Sequence, residues 1–148
     1  MKRIGLGVLV ALLVATFAFA QNRRIYSNVH CVAESGDVVG TQLILTDTDG
    51  KAHGALDVFE GSPQPVHAEL TGSSSNDRVL LNGDDAHARK LIGKKSSHSF
   101  RGTVTRDNGT EDLILRNVRA TFNGCTDKNT VSAESRKPKA QSPKPNAH

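Results

Sequence analysis

The chain has 148 residues and a formal net charge of +4, from 19 basic and 15 acidic side chains. The positive charge lies outside the central segment, because residues 21–125 hold 12 basic and 13 acidic residues, a net charge of −1. This balance disfavours a nucleic-acid-binding domain, which carries a concentrated excess of Lys and Arg. The central segment is also long enough for one domain and too short for two.

The first 20 residues have the pattern of a secretion signal peptide. A short positive start is followed by an uncharged run from Ile4 to Ala20, and Ala18-Phe19-Ala20 supplies the small residues of a cleavage site. A membrane anchor is the alternative, but the uncharged run only reaches the short limit for a span. We expect cleavage after Ala20 and an exported, periplasmic or extracellular product that does not span a membrane.

Cys31 and Cys125 are the only cysteines, and both remain after removal of the signal. A pair of cysteines in an oxidising compartment predicts a disulfide. Because the two residues bracket almost the whole domain, the bridge predicts that the first and last elements lie side by side. A reactive thiol or a metal ligand is disfavoured, since no C-x-x-C is present and only the adjacent His30 accompanies either cysteine.

Alternation with a period of two residues dominates the central segment and predicts strands. In the first hairpin, Val39, Thr41, Leu43 and Leu45 share one face of a strand, and Gly54, Leu56 and Val58 share a face of the next strand. A four-residue loop over 47–50 would pair Thr46 with Lys51 and Leu43 with Gly54. Both apolar sets then lie on one side, as a half-buried hairpin requires.

A second hairpin is predicted at Asn108-Gly109, a dipeptide that favours a two-residue turn. This turn would pair Val104 with Leu113 and Gly102 with Leu115. The apolar positions then change parity, so a bulge near Arg116-Asn117 is expected to return Val118, Ala120 and Phe122 to the core face.

The segment between the hairpins has weaker signals. Val66, Ala68 and Leu70 alternate as a strand, residues 73–77 read as a polar loop, and residues 78–81 as a short strand. Residues 84–92 fit one short helix, with Asp84 or Asp85 as its N-cap and Gly93 after its end. An irregular strand through Leu91 and Ile92 is the alternative.

These elements predict an all-β fold of about seven strands, sequentially adjacent and antiparallel. A meander whose ends are tied by a disulfide favours a small closed or nearly closed barrel, because closure removes exposed strand edges. A two-sheet sandwich is the alternative. In architecture alone, the layout resembles small exported barrels of the avidin and lysozyme-inhibitor types.

The segment from 126 to 148 has a different composition. It contains three prolines, five basic residues and no aromatic residue. Such a segment cannot bury enough apolar surface to offset the entropy of ordering, so we predict a disordered basic tail.

Catalytic and cofactor motifs are absent from the sequence. It contains no G-x-S-x-G, no P-loop and no G-x-G-x-x-G. Six histidines invite a metal interpretation, but none forms H-x-H or H-x-x-x-H. We therefore predict no catalytic residue, no metal and no cofactor.

Two features could still contact a ligand. His98 shares the parity of Phe100, so we expect its side chain to face the interior near a strand end, where it would line a ligand mouth or hydrogen-bond within the core. The second feature is the one concentration of basic residues in the domain, which could bind an anionic envelope polymer or an acidic protein. It consists of Arg89, Lys90, Lys94, Lys95 and Arg101. A solvated loop is the simpler interpretation of this run.

The sequence thus favours an exported, non-enzymatic binding module. Its ligand would be a small molecule or a protein, and an inhibitor of an envelope-directed enzyme would be one example of such a module. A structural, envelope-associated protein that uses its basic tail is the alternative. A small hydrolase has the least support.

Overall fold

A computed structural model describes residues 22–125 and the backbone of Thr130 and Val131. The predicted signal over 1–20 and the rest of the predicted tail lie outside these residues. The described chain is all-β, as the alternating pattern predicts, and contains no helix. Its strands are β1 (Asn22–Ser27), β2 (His30–Val32), β3 (Val38–Thr48), β4 (Lys51–Glu60), β5 (Val66–Ser75), β6 (Arg78–Asp85), β7 (Ala88–Lys95), β8 (Ser99–Arg106), β9 (Gly109–Val118) and β10 (Thr130–Val131).

The strands form a closed antiparallel barrel rather than a two-sheet sandwich. Strands β3 to β9 follow one another as a meander, and β1 closes it by pairing with both β3 and β9. Ile25, for example, lies opposite Ile44 on one side and opposite Val118 on the other. The barrel therefore has eight strands, and its closure rests on the hydrogen bonds of β1.

The predicted disulfide between Cys31 and Cys125 is present, with a Cα–Cα distance of 5.8 Å. Cys31 lies in β2, which pairs with the first residues of β3 beside the barrel. The bridge therefore fastens the segment after β9 to β2 and is not itself the closure of the barrel. Strand β10 pairs with β2 in parallel, with Thr130 opposite Cys31.

Both predicted hairpins exist, but each predicted register is wrong by two residues. Leu43 lies opposite Leu56 rather than Gly54, because the turn consists only of Asp49 and Gly50, whose φ angles of 51° and 78° suit a tight hairpin turn. In the second hairpin the turn residues are Asp107 and Asn108. Val104 therefore lies opposite Glu111, and Gly102 opposite Leu113.

The region predicted to contain a helix over 84–92 is instead the hairpin of β6 and β7. Its turn falls at Ala86 and His87, and the register shifts between Asn82 and Asp85. Asp85 does accept a hydrogen bond from the backbone N–H of His87, as a capping residue would, but here it stabilises a turn. The polar loop predicted over 73–77 is likewise the end of β5 and a two-residue turn.

The bulge predicted near Arg116-Asn117 is wrong. The pairing of β8 with β9 continues without a shift to Arg116, which lies opposite Ser99. Ala120 follows β9 and is exposed, whereas Phe122 packs with its ring centroid 5.3 Å from that of Phe59 in a second cluster beside the disulfide.

Large side chains fill the barrel interior. Tyr26 and Phe100 are fully buried with their ring centroids 6.0 Å apart. Leucines from six strands complete the core: Leu43, Leu45, Leu56, Leu70, Leu81, Leu91, Leu113 and Leu115. Glycine makes room for one of the rings, since Gly93 lies opposite Gly102 and a Cβ on Gly93 would lie 2.7 Å from Arg101 O and closer still to the Phe100 ring. The interior is thus a packed core.

Candidate functional site

One end of the barrel is occupied by an inward-facing ion pair. Lys95 Nζ donates to Asp47 and to Ser74 Oγ, and the Lys95 and Asp47 side chains are only 9% and 20% exposed. The hydrogen bond from Lys95 holds the pKa of Asp47 below its usual range. Lys95, a predicted ligand contact, is therefore engaged within the protein.

His98 does not line a mouth at this end, and the expectation that it faces the interior is wrong. It lies in the bend between β7 and β8, where its side chain is exposed and Nδ1 is 2.7 Å from Ser97 Oγ. The strand begins only at Ser99, so the parity that relates His98 to Phe100 does not extend to it.

Arg89 is also engaged. Its Nε lies 2.7 Å from Asp107 Oδ1 and its Nη2 lies 3.1 Å from Asp107 Oδ2, in a bidentate pair between the β6–β7 and β8–β9 hairpins. This pairing raises the pKa of Arg89 and lowers that of Asp107. Of the five predicted basic residues, Lys90, Lys94 and Arg101 thus remain as candidate contacts.

The sheet brings these cations together with Arg78, which lies outside the basic run of the sequence and was not predicted as a contact. Lys94 lies opposite Arg78 on β6 and opposite Arg101 on β8, so three cations form a row across three strands. All three are exposed, and neither they nor Lys90 makes an ion pair with another described residue. Like charges directly opposite one another destabilise a sheet. The repulsion among these three cations is therefore not offset by any carboxylate of the described residues.

The exposed large aliphatic residues of the described chain lie on the same side of the barrel. Leu80 and Ile92 are 42% and 45% exposed and lie opposite each other on β6 and β7. Ile114 on β9 is 62% exposed and lies opposite Arg101. We call this surface the basic–aliphatic face; it consists of Arg78, Leu80, Lys90, Ile92, Lys94, Arg101 and Ile114.

A shallow depression of about 530 Å³ lies on this face. Leu80 and Ile92 line it together with Arg78, Lys90 and Lys94, and the hydroxyl-bearing Ser73 and Ser75 of β5 border it. Asp112, opposite Thr103, is the outward-facing acidic residue of β9. The depression is therefore lined by both aliphatic and cationic side chains.

A second polar cluster lies on the outer face of β3, β4 and β5. His67 bridges two carboxylates, with Nδ1 2.6 Å from Asp57 Oδ1 and Nε2 2.7 Å from Glu69 Oε1. His53 Nε2 lies 2.7 Å from the other oxygen of Glu69, and Gln42 links Asp57 to the backbone N–H of Phe122. Sequence spacing alone did not show this cluster, because its members come from three strands.

The position of His67 raises the pKa of its imidazole, first through the hydrogen bond with Asp57 and then through that with Glu69. A raised pKa in the folded state stabilises the fold at pH values below 6.5, the ordinary value, and this stabilisation is lost as the pH rises through the higher folded value.

We expect urea melts to show a larger stability difference between the wild type and His67→Gln at about pH 5.5 than at about pH 9. His87→Gln, at an exposed turn, is the control. Equal differences at both pH values would contradict this assignment.

Within residues 22–125, no group of three or more His, Cys, Asp or Glu side chains is arranged to hold a metal ion. The described residues also include no helix that is long and apolar enough to cross a bilayer.

Comparison of the chain with family models, with curated proteins and with solved structures finds no match.

Proposed function

We propose that the protein is an exported, non-enzymatic binding module that binds an anionic ligand through the cation row Arg78–Lys94–Arg101. The disulfide, which is compatible with an oxidising compartment, supports the exported part of the proposal. A surface that is charged and open supports a binding role, whereas a hydrolase would require a nucleophile beside a base.

The proposal rests on a difference among the cations of neighbouring strands: some have a carboxylate partner and others do not. Arg89, Lys95 and Arg106 each have a carboxylate partner, and Arg106 Nη2 lies 3.0 Å from Glu111. The cation row has no such partner among the described residues and places its three charges directly opposite one another. Because strands are spaced by about 4.8 Å, the row spans roughly 10 Å. An anion placed along it would offset repulsion that residues 22–125 leave unbalanced.

The packed interior supports an external rather than an internal ligand site. Tyr26, Phe100 and the core leucines occupy the space that a small ligand would take in an open barrel. Lys95 and Asp47 occupy one end of the barrel interior. A binding surface on the outside of the barrel requires neither feature to move.

The test uses Lys94→Glu in the complete exported chain, because this change reverses the central charge of the row. Affinity for poly-L-glutamate, measured by calorimetry at low salt, should fall roughly tenfold, since one reversal removes an attraction and adds a repulsion. The melting temperature should not fall, because the introduced carboxylate would lie between two arginines and form favourable cross-strand pairs. Weaker binding therefore cannot be attributed to unfolding.

Lys51→Glu is the matched control, since it changes the net charge equally at an exposed site at the β3–β4 turn. It should reduce the affinity far less than Lys94→Glu. Equal losses in the two variants would show that only net charge matters. Unchanged binding by Lys94→Glu would overturn the proposal. It would show that the anion site lies outside the cation row, and the basic tail would be the next candidate.

A further inference from the structure

We propose that the basic–aliphatic face docks on the surface of an anionic lipid bilayer, an inference that rests on the anion binding proposed above. The cations would contact lipid phosphates, and the three aliphatic side chains would enter the boundary between headgroups and acyl chains. The protein would lie on the bilayer with its barrel intact.

The aliphatic residues provide the first argument. Leu80, Ile92 and Ile114 are the exposed large hydrophobic residues of the described chain, and all three are on the outer face of β6, β7 and β9. Apolar side chains that project beside cations are the combination by which peripheral proteins bind membrane interfaces, where buried apolar area and attraction to anionic lipids act together.

The arrangement of the charges is the second argument. Arg78, Lys94 and Arg101 lie in one row, and Lys90 lies beyond Ile92 on the same strand, so cations flank the Leu80–Ile92 pair on both sides. An anionic leaflet presents phosphates in every direction around an inserted side chain. Such a surface can therefore satisfy all four cations at once.

The chemistry of the face favours a bilayer over the two other anionic partners. An anionic sugar polymer has no acyl chains among which Leu80 and Ile92 could insert. A protein partner would bury the centre of the face, where lysine is depleted in protein–protein interfaces and aromatic residues are enriched. Here the centre carries Lys90 and Lys94 and no aromatic residue. Diffuse attraction to a charged leaflet suits flexible lysines well.

The experiment measures partitioning of the complete exported chain onto sedimentable vesicles. One set contains phosphatidylcholine alone and the other contains phosphatidylcholine mixed with phosphatidylglycerol. We expect binding to the mixed vesicles and little to the neutral ones. A basic residue near an anionic leaflet increases membrane affinity about fivefold. Lys94→Ser should therefore reduce partitioning roughly fivefold. Asp112→Asn, which removes the carboxylate beside Ile114, should increase it.

The double variant Leu80→Ser with Ile92→Ser separates this inference from the proposed function. It keeps every cation, so its affinity for poly-L-glutamate should equal that of the wild type, while its vesicle partitioning should fall about tenfold with the loss of apolar contact. Ile44→Ser, at a half-buried position on β3 away from the face, is the control and should leave partitioning unchanged.

The possible outcomes separate the two proposals. Equal partitioning of the double variant and the wild type onto mixed vesicles would overturn the insertion of Leu80 and Ile92. Binding to poly-L-glutamate without binding to vesicles would overturn the bilayer inference, leave the anion-binding proposal intact and identify an acidic protein or polymer as the partner. Binding to neither would overturn both.

Discussion

Replacement of Phe100 by Ala should lower the free energy of unfolding by about 3–5 kcal/mol, the usual cost of truncating a buried aromatic ring. The Phe100 ring is fully buried, packs on Tyr26 and extends across Gly93 of the neighbouring strand. The lost ring would leave a cavity between elements that cannot collapse, because β7 and β8 are held in register on both sides. Urea melts monitored by circular dichroism provide the measurement.

Ile114→Ala is the control for this prediction. Ile114 is also a large apolar residue but is 62% exposed, so its truncation should change stability by less than about 0.5 kcal/mol. A Phe100→Ala variant that is destabilised no more than Ile114→Ala would contradict the packed interior and reopen the question of an internal ligand.

Loss of the disulfide in the Cys31→Ser, Cys125→Ser double variant should cost about 2–5 kcal/mol, the range for native bridges in small secreted domains. The two cysteines are 94 residues apart in sequence, so the bridge restricts most of the unfolded domain. The barrel should nevertheless form, because β1 closes it by hydrogen bonds to β3 and β9. We expect a lower melting temperature with an unchanged β-sheet spectrum.

A non-reducing peptide map of the wild type, together with urea melts with and without reductant, checks this prediction. Two free thiols in the wild type would contradict the bridge. Loss of the β-sheet spectrum in the double variant at room temperature would instead show that the disulfide, rather than β1, keeps the barrel closed.

The side-chain pattern predicted which faces are buried more reliably than which residues lie opposite each other. Leu43, Leu56 and Val104 are buried as expected, although both hairpin registers were wrong by two residues. A shift of two residues keeps every side chain on the same face, since strand side chains alternate with a period of two. Burial therefore cannot distinguish the two registers; the turn conformation decides, and both turns are tighter or earlier than their sequences suggested.

The candidate site was only partly predictable for a related reason. A basic run along the chain includes residues that face opposite sides of a strand, so Lys94 points outward while its neighbour Lys95 points inward to Asp47. Arg78 lies outside the run and joins the face only through the pairing of β6 with β7. The row depends on register across three strands, which local patterns did not determine.

A methyl NMR titration of the chain from residue 21 to residue 148 tests most directly whether the outer face of β6 to β9 is the binding surface. The ligand is a bicelle of phosphatidylcholine and phosphatidylglycerol. We expect the methyl signals of Leu80, Ile92 and Ile114 to shift or broaden, while those of Ile44 on β3 and of the buried Leu91 should not change. Changes at Ile44 or Leu91 without changes at the three exposed aliphatic residues would contradict this expectation.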